Sequence, residues 1–444
     1  MQTSSLTNIS PIDGRYSSET RQLSKYFSEF ALFKYRVFIE LKYLLFLSKI
    51  NIVHKISSDE IRKIEQISNN FSIKDAEKIK KYEEFIKHDV KAVEYFLRPK
   101  LSKRLSPWIH FGLTSDDINC NAYRLMIHEG LTSIITPQLK ELIKSLNIIS
   151  KKYLNLPMLG RTHGQPAIPT TFGKEISVFS TRIKKEIKNL ENIKLYGKFG
   201  GSIGNWNALN LAFPQKDWPQ LSGQFLKELG LSQSKITTQT APPEDIIEVF
   251  QNFIRINNIL TDLTQDIWRY ISDGWIIQKG KENDVGSSTM PQKINPIEFE
   301  NCEGNLIIAN SLFETFSRKL PISRLQRDLS DSTVLRNLGI AFAHSLIAYK
   351  SCVKGLKTLS INKEAILNEL NADWSILSEA LQTILRKEGK TDAYERVASQ
   401  IRGKKLNKND WINIVNSLQI SKKSKSLLEN LTPSTYTGIV LNKW

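Results

Sequence analysis

The chain has 444 residues, and its 62 Lys and Arg against 45 Asp and Glu leave a formal charge of +17. That length exceeds one ordinary compact domain and predicts two or three domains or one very elongated helical unit. No basic and apolar leader with a small-residue cleavage site opens the sequence, and no stretch is apolar for long enough to cross a bilayer, which argues against secretion and membrane insertion and predicts a soluble, cytoplasmic protein. The three cysteines, Cys120, Cys302 and Cys352, are odd in number, far apart and without metal-ligand spacing, so reduced thiols are expected and neither a disulfide framework nor a zinc site. The charge admits nucleic acid or phosphorylated small molecules as partners. No basic arm, zinc-finger spacing or interleaving of aromatic and basic residues supports a nucleic-acid reader, and most lysines, as in residues 183–189, fall on the polar faces of helical patterns.

Helical periodicity dominates wherever Gly and Pro do not interrupt it, which predicts an all-α protein. His88 adjoins Asp89, pairing an imidazole with a carboxylate, although consecutive side chains on a helix diverge and the true partner can lie elsewhere. Thr114 is a candidate N-cap with Asp117 three residues on, followed by Ile118, Ala122, Leu125 and Met126 at helical spacing and by Gly130 as the expected end. Thr114 and Ser115 therefore sit at an electropositive helix start suited to a carboxylate. The next stripe, Ile134, Leu139, Leu142, Ile143, Leu146 and Ile149, is helical as well, with Pro137 in a first turn or at a kink.

Thr162-His163-Gly164-Gln165-Pro166 reads as a tight turn holding an imidazole, a group that titrates near neutrality. Long stripes then run through Ile176, Phe179, Ile183, Ile187 and Leu190, and through Ile247, Phe250, Ile254, Ile259, Leu263, Ile267 and Ile271, which implies a bundle of long helices. Between them, Gly197 to Pro219 is rich in Gly, Asn and aromatic residues and reads as an ordered functional loop, as does Thr237 to Pro243. In the run Gly286 to Pro296, Asn295 is the expected N-cap, Pro296 the first helical residue and Glu298 the capping-box carboxylate. Such a loop delivers Ser287, Ser288 and Lys293 to an electropositive terminus able to stabilise an alkoxide or an anionic intermediate. No Gly-rich phosphate loop is present, and Arg327, Ser332 and Arg336 offer guanidinium forks and a hydroxyl on one short segment instead. Soft breaks divide the chain into an N-terminal helical domain (1–111), a central helical bundle carrying the Gly286 loop (112–346) and a C-terminal helical domain (347–444).

Six segments, Ser10 to Tyr16, His88 to Tyr95, Thr114 to Asn119, Arg161 to Ala167, Gly286 to Pro296 and Gln326 to Asn337, resemble the fumarase/aspartase superfamily in order and spacing over nearly the whole chain. The Asp-Gly-Arg-Tyr, His-Asp-Val and Arg-Asp-Leu-Ser-Asp-Ser stretches are similar to its bacterial long-chain branch, which cleaves adenylosuccinate. The resemblance implies a three-domain all-α lyase fold whose central long-helix bundle forms a tetrameric helical core. It implies a homotetramer, with His163, His88 with Thr114, and Ser287 brought to each active site by different subunits. The implied reaction is β-elimination of fumarate from succinylated purine nucleotides, with no metal and no other cofactor, no nucleic acid and no membrane. Ser287 matches the catalytic base, with Ser288 as the neighbouring alternative, and the resemblance implies His163 as the general acid. Lys293 and Asn295 hold the charged intermediate. Arg327, Ser332 and Arg336 grip the phosphate, with Arg15 and Tyr16 as a second clamp. Thr114 and Ser115 take a succinyl carboxylate, and His88, Asp89 and Gln239 complete the substrate site. His54, His110, His128 and His344 match no catalytic position and are expected to be structural or exposed.

Two departures from that pattern predict altered affinity or rate. Phe85-Ile86-Lys87 stands where close members carry Thr-Thr-Asn, placing apolar bulk and a cation beside the substrate site. Ala241-Pro242-Pro243-Glu244 stands where they carry Glu-Pro-His-Asp, removing polar groups near Gln239. Two rival readings make different forecasts. A lyase for argininosuccinate needs no phosphate clamp, and a basic helical scaffold binds nucleic acid with steep salt dependence and releases no fumarate.

Overall fold

The computed structural model describes residues 5–279, 289–290 and 292–441. In chain order the elements that matter below are α1 (Glu29–Lys49), α2 (Ile73–Ile86), α3 (Asp89–Leu97), α4 (Ser115–Gly130), α5 (Thr136–Lys152), the strands β1 (Pro157–Thr162) and β2 (Gln165–Thr171), then α6 (Phe172–Asn192), α7 (Glu244–Ser272), α8 (Ile297–Lys319), α9 (Ser330–Leu335) and α10 (Leu338–Thr358). The fold is all-α. Strand among the described residues is confined to three two-stranded sheets, and no helix among them is long and apolar enough to cross a membrane. The chain divides into two compact units, the first of residues 1–140, 186–258 and 304–350, the second of 141–185, 259–303 and 351–444.

The first unit is centred on aromatic side chains delivered at helical spacing. Phe250 and Phe253 of α7, Phe313 and Phe316 of α8 and Phe342 of α10 are all buried. Their rings meet at 5.7 Å for Phe250–Phe313, 5.2 Å for Phe253–Phe342 and 5.3 Å for Phe313–Phe342. Removing each such ring from water contributes about 1.5–3 kcal/mol, which is why the periodic stripes specify packing and not merely helicity. On α7 the buried set extends beyond the single stripe, to Phe253, Ile256 and Leu260, so that helix is covered on more than one side. The stripe on α6, from Ile176 to Leu190, is likewise buried.

The second unit holds the β1–β2 hairpin and a separate C-terminal core. Trp374, Leu377, Leu381, Leu385, Trp411 and Leu428 pack together there, and the buried indole N–H of Trp411 donates to the Leu428 carbonyl at 2.9 Å.

At two helix ends the structure adds to the sequence expectation. Gly130 is the last residue of α4, as expected, and the chain then continues through a π-helical stretch, Leu131–Ile135, into α5. That wider turn precedes Pro137, whose missing N–H and bulky ring interrupt regular i→i+4 bonding, so the proline is accommodated by a π-turn. Gly130 is needed for closeness: a Cβ there would stand 2.6 Å from the Phe27 ring. Secondly, α8 begins at Ile297, one residue later than expected, with the Pro296 carbonyl accepting from the N–H groups of Phe299 and Glu300 at 3.0 and 3.2 Å. Pro296 thus takes the cap position expected of Asn295, and Glu298 is the second helical residue.

Candidate functional site

The start of α4 is built from a cap and a buried charge. The Thr114 N–H donates to the Asp117 carboxylate at 2.8 Å, and Ser115 opens the helix. Asp117 is fully buried and also accepts from the Gly200 N–H at 2.8 Å, the Gly201 N–H at 3.0 Å and the Lys198 ammonium at 2.9 Å. Asn121, one turn on, donates to the Lys198 carbonyl at 2.8 Å. These bonds explain why the Gly-rich segment is ordered, since a buried carboxylate is tolerated only when its oxygens are satisfied.

That segment in turn carries the glutamine loop. Gln239 Nε2 donates to the Ser202 carbonyl at 3.0 Å, its backbone N–H donates to the Gln326 carbonyl at 3.3 Å, and its Oε1 accepts from Arg327 Nη1 at 3.4 Å. Three regions distant in sequence, Thr114 to Asp117, Gly200 to Gln239 and Arg327 to Ser332, are thereby joined within the first unit. The departure at Ala241 has a structural use: Ala241 is buried, and the Pro242 carbonyl accepts from Arg124 Nη2 at 2.9 Å while the same arginine clamps Asp245 at 2.8 Å.

Two cavities lie side by side here. One, of about 60 Å³, is lined by Asp116, Asn119, Arg327, Asp331 and Ser332, and the other, of about 170 Å³, by Glu83, Asp89 and Arg336, with Arg36, Tyr123 and Leu335 lining both. Arg36 is 3 % exposed; it donates through Nε to Asn119 Oδ1 at 2.8 Å and through Nη2 to Asp89 Oδ2 at 2.5 Å. Burial works against ionisation of Asp89, but Arg36 and the Val90 N–H outweigh it and hold the carboxyl below its usual range. Arg327 is no surface residue. Its side chain is 14 % exposed and stands 3.7 Å from Asp331 and 3.9 Å from Asp116. Asp116 is pushed up to about 6, chiefly by burial, against the pull of Arg327 and Lys198.

His88 caps α3: its Nδ1 accepts the Lys91 N–H at 3.2 Å, which puts the ring proton on Nε2. The neighbouring Asp89 carboxylate is 3.9 Å from that nitrogen and is held by Arg36, so it does not orient the ring as its adjacency suggested. Lys87, in the first departure, adopts the left-handed conformation at φ 56° that ends α2, and Phe85 is exposed. Arg15 is exposed and Tyr16 precedes the first short helix; neither lines either cavity.

The second unit presents His163 differently. Thr162 pairs with Gln165, leaving His163 and Gly164 as a two-residue hairpin turn with φ 53° and 73°. Positive φ at both positions defines the turn type that matches strand twist, and Gly164 accepts it without strain. His163 is exposed at this tip. The hairpin is pinned by Arg161, which pairs with Glu369, whose other oxygen accepts the Trp275 indole N–H at 2.5 Å. Lys293 is exposed, and its backbone N–H closes a turn on the Met290 carbonyl at 3.0 Å. Asn295 precedes α8, while Ser287 and Ser288 lie outside the described residues.

Of the histidines set aside as non-catalytic, His110 is paired through Nδ1 with the buried Glu40 at 2.6 Å and His344 with Asn305 at 2.8 Å. Among the described residues no cluster of His, Cys, Asp and Glu has the arrangement of a metal site. Sequence reasoning missed Arg36, Asp116, Asn119 and Tyr123. Asp116 and Asn119 stood inside the recognised Thr114 segment. The signal that could have found Arg36 is its place, with Glu40 four residues on, among the buried apolar positions of α1, where a charge needs partners from other elements.

Comparison with known proteins adds a second line of observation. A family described as Lyase matches residues 14–309, and one described as Adenylosuccinate lyase C-terminal matches residues 323–437. The chain is similar to adenylosuccinate lyase of Legionella pneumophila, at 46% identity over 99% of this chain and 98% of that protein. It is similar to the adenylosuccinate lyases of Dictyostelium discoideum, at 45% over 99% and 98%, and of Vibrio cholerae, at 40% over 99% of each. In three dimensions it resembles a fumarate lyase from Mesorhizobium sp. BNC1, with a TM-score of 0.76 at 19% identity over 95% of each chain. It also resembles the β-carboxy-cis,cis-muconate cycloisomerase of Acinetobacter calcoaceticus, with a TM-score of 0.72 at 17% identity over 96% and 97%. These two likenesses concern the fold.

Proposed function

This chain belongs to the adenylosuccinate lyase family, and we propose that it releases fumarate from adenylosuccinate, leaving AMP, and from the succinylated aminoimidazole carboxamide ribotide, leaving the free carboxamide. The observation within the molecule that best supports this reading is the joining of Arg327 and Gln239 to the start of α4. A guanidinium next to a hydroxyl at Ser332 suits a phosphate, and the helix start at Thr114 and Ser115 suits a carboxylate. Arg336, on the wall of the adjoining cavity, adds a second guanidinium. Asp89 contributes by anchoring Arg36 and the turn that bears His88, which with Gln239, Arg15 and Tyr16 completes the substrate site.

The elimination removes a C–H proton beside a carboxylate, breaks the C–N bond and returns a proton to the departing nitrogen. Ser287, as alkoxide, takes the first proton. Lys293 and Asn295 stabilise the negative charge that spreads into the carboxylate, and His163 protonates nitrogen as the bond breaks. The reaction is redox-neutral and needs no electron carrier. The site groups fall in separate stretches of chain, and we assign them to a homotetramer in which His163, His88 with Thr114, and Ser287 come from different subunits. The three-part division at residues 112 and 347 and a cytoplasmic location belong to the same reading. Incubating the purified protein separately with adenylosuccinate, the succinylated ribotide and argininosuccinate, and following fumarate, tests it: release from the two nucleotides alone is expected, and release from argininosuccinate alone would overturn it.

A further inference from the structure

Arg124 and Arg36 close on their carboxylates, at 2.8 Å to Asp245 and 2.5 Å to Asp89. Arg327 does not. It stands 3.9 Å from Asp116, 3.7 Å from Asp331 and 3.4 Å from the Gln239 oxygen, all longer than the roughly 2.7–2.9 Å of a charge-assisted hydrogen bond. Asp116 is nevertheless 4 % exposed. Its Oδ2 and the Nε of Arg327 are both buried without a hydrogen-bond partner, and both residues line the same cavity of about 60 Å³. A buried carboxylate and guanidinium held apart, each with an unused atom, form a pair built to include a third group.

We propose that Asp116 is a positioning residue for the anion site: it sets how much positive charge Arg327 presents, and a phosphate monoester docking on Arg327 and Ser332 draws a proton onto Asp116. This rests on the reading of Arg327 and Ser332 as phosphate contacts. The groups facing Asp116 are Arg327 and Asp331 from the segment around α9, Lys198 from the Gly-rich loop, and Asp117 and Cys120 on its own helix. Arg36 and Arg124 line the cavity as well. Among these, Arg327 is the cation that does most to keep Asp116 ionised, with Lys198 next. A phosphate dianion on Arg327 offsets that cation, so the carboxyl binds its proton more tightly in the complex. By reciprocity the protonated carboxyl strengthens phosphate binding by the same factor.

The test is calorimetry of AMP binding to the full-length protein between about pH 6 and about pH 8, in buffers of different ionisation enthalpy. Comparing the native protein with Asp116→Asn at each pH cancels the second ionisation of the phosphate itself. Native protein is expected to take up more protons per AMP than the variant, by up to about one. Its affinity relative to the variant rises on acidification by roughly tenfold for each unit that the carboxyl moves. Equal proton uptake by the two proteins overturns the proposal. Arg327→Gln separates the layers: if it binds AMP as tightly as the native chain, the anion-site reading itself falls, whereas lost affinity there with equal uptake in the other pair removes only Asp116. Should Asp116→Asn not fold, infrared spectra of native protein carrying ¹³C-labelled aspartate decide, because growth of a protonated-carboxyl band on adding AMP supports the linkage and its absence overturns it.

Discussion

The first unit holds Gln239 through bonds to the segments around Ser202 and Arg327, whereas the second holds His163 through backbone geometry at an exposed hairpin tip. The contrast shows two ways of positioning a group. Buried networks such as Asp117 with Lys198 and the two glycine N–H groups fix geometry through mutual bonds shielded from water. A two-residue turn fixes direction while leaving the ring in contact with solvent, as suits the proton-transfer role proposed for His163.

The sharpest break in that comparison is expected at the exposed tip. His163→Ala and Ser287→Ala should each lower turnover by about 10²–10⁴-fold with thermal melting unchanged. Near-normal rates in either would remove its assigned role. Mixing the two inactive proteins should restore some activity, and none after verified subunit exchange would count against shared sites.

The buried network should respond in stability first. Arg36→Met leaves Asp89 and Asn119 without their donor and is expected to cost about 3–5 kcal/mol in chemical denaturation. A cost below about 1 kcal/mol would mean the pair is solvent-screened. Asp116→Asn is expected to act the other way. The folded carboxyl sits at about 6, above its ordinary 3.8, so its contribution to stability is complete below the ordinary value and is lost as pH rises through about 6. The amide should therefore raise stability at about pH 8, by at most about 3 kcal/mol, and the gain should shrink towards about pH 4. A gain independent of pH would exclude titration as its source. The smallest effect belongs to the hairpin: Gly164→Ala meets no neighbouring atom but must hold φ 73°, so a loss of about 1 kcal/mol is expected, with a larger proportional fall in turnover than in stability.

Much of this was legible in local pattern. The Thr114–Asp117 cap, the buried stripe on α6, that on α7 apart from the half-buried Ile254 and Ile271, and the tight turn at His163 follow from residues within a few positions of one another, because caps, helical faces and two-residue turns are short-range devices. The helix ends also had a local form. Gly130 ends α4 as its residue type suggests, though a close ring from Phe27 also requires glycine there, while Asn295, expected as the cap, lies one residue before the actual cap at Pro296.

The sequence by itself determined where helices run, which faces they bury and which short segments carry chemistry, since those depend on periodicity and on neighbours along the chain. Only the tertiary structure decided that Arg36 holds Asp89, that Gln239 bridges Ser202 to Arg327, and that Asp116 is left facing Arg327 across a small cavity. Those pairings join residues far apart in sequence, and the proton affinity of a buried carboxyl depends on the distance and burial of every charge around it, quantities that exist only after the helices have packed.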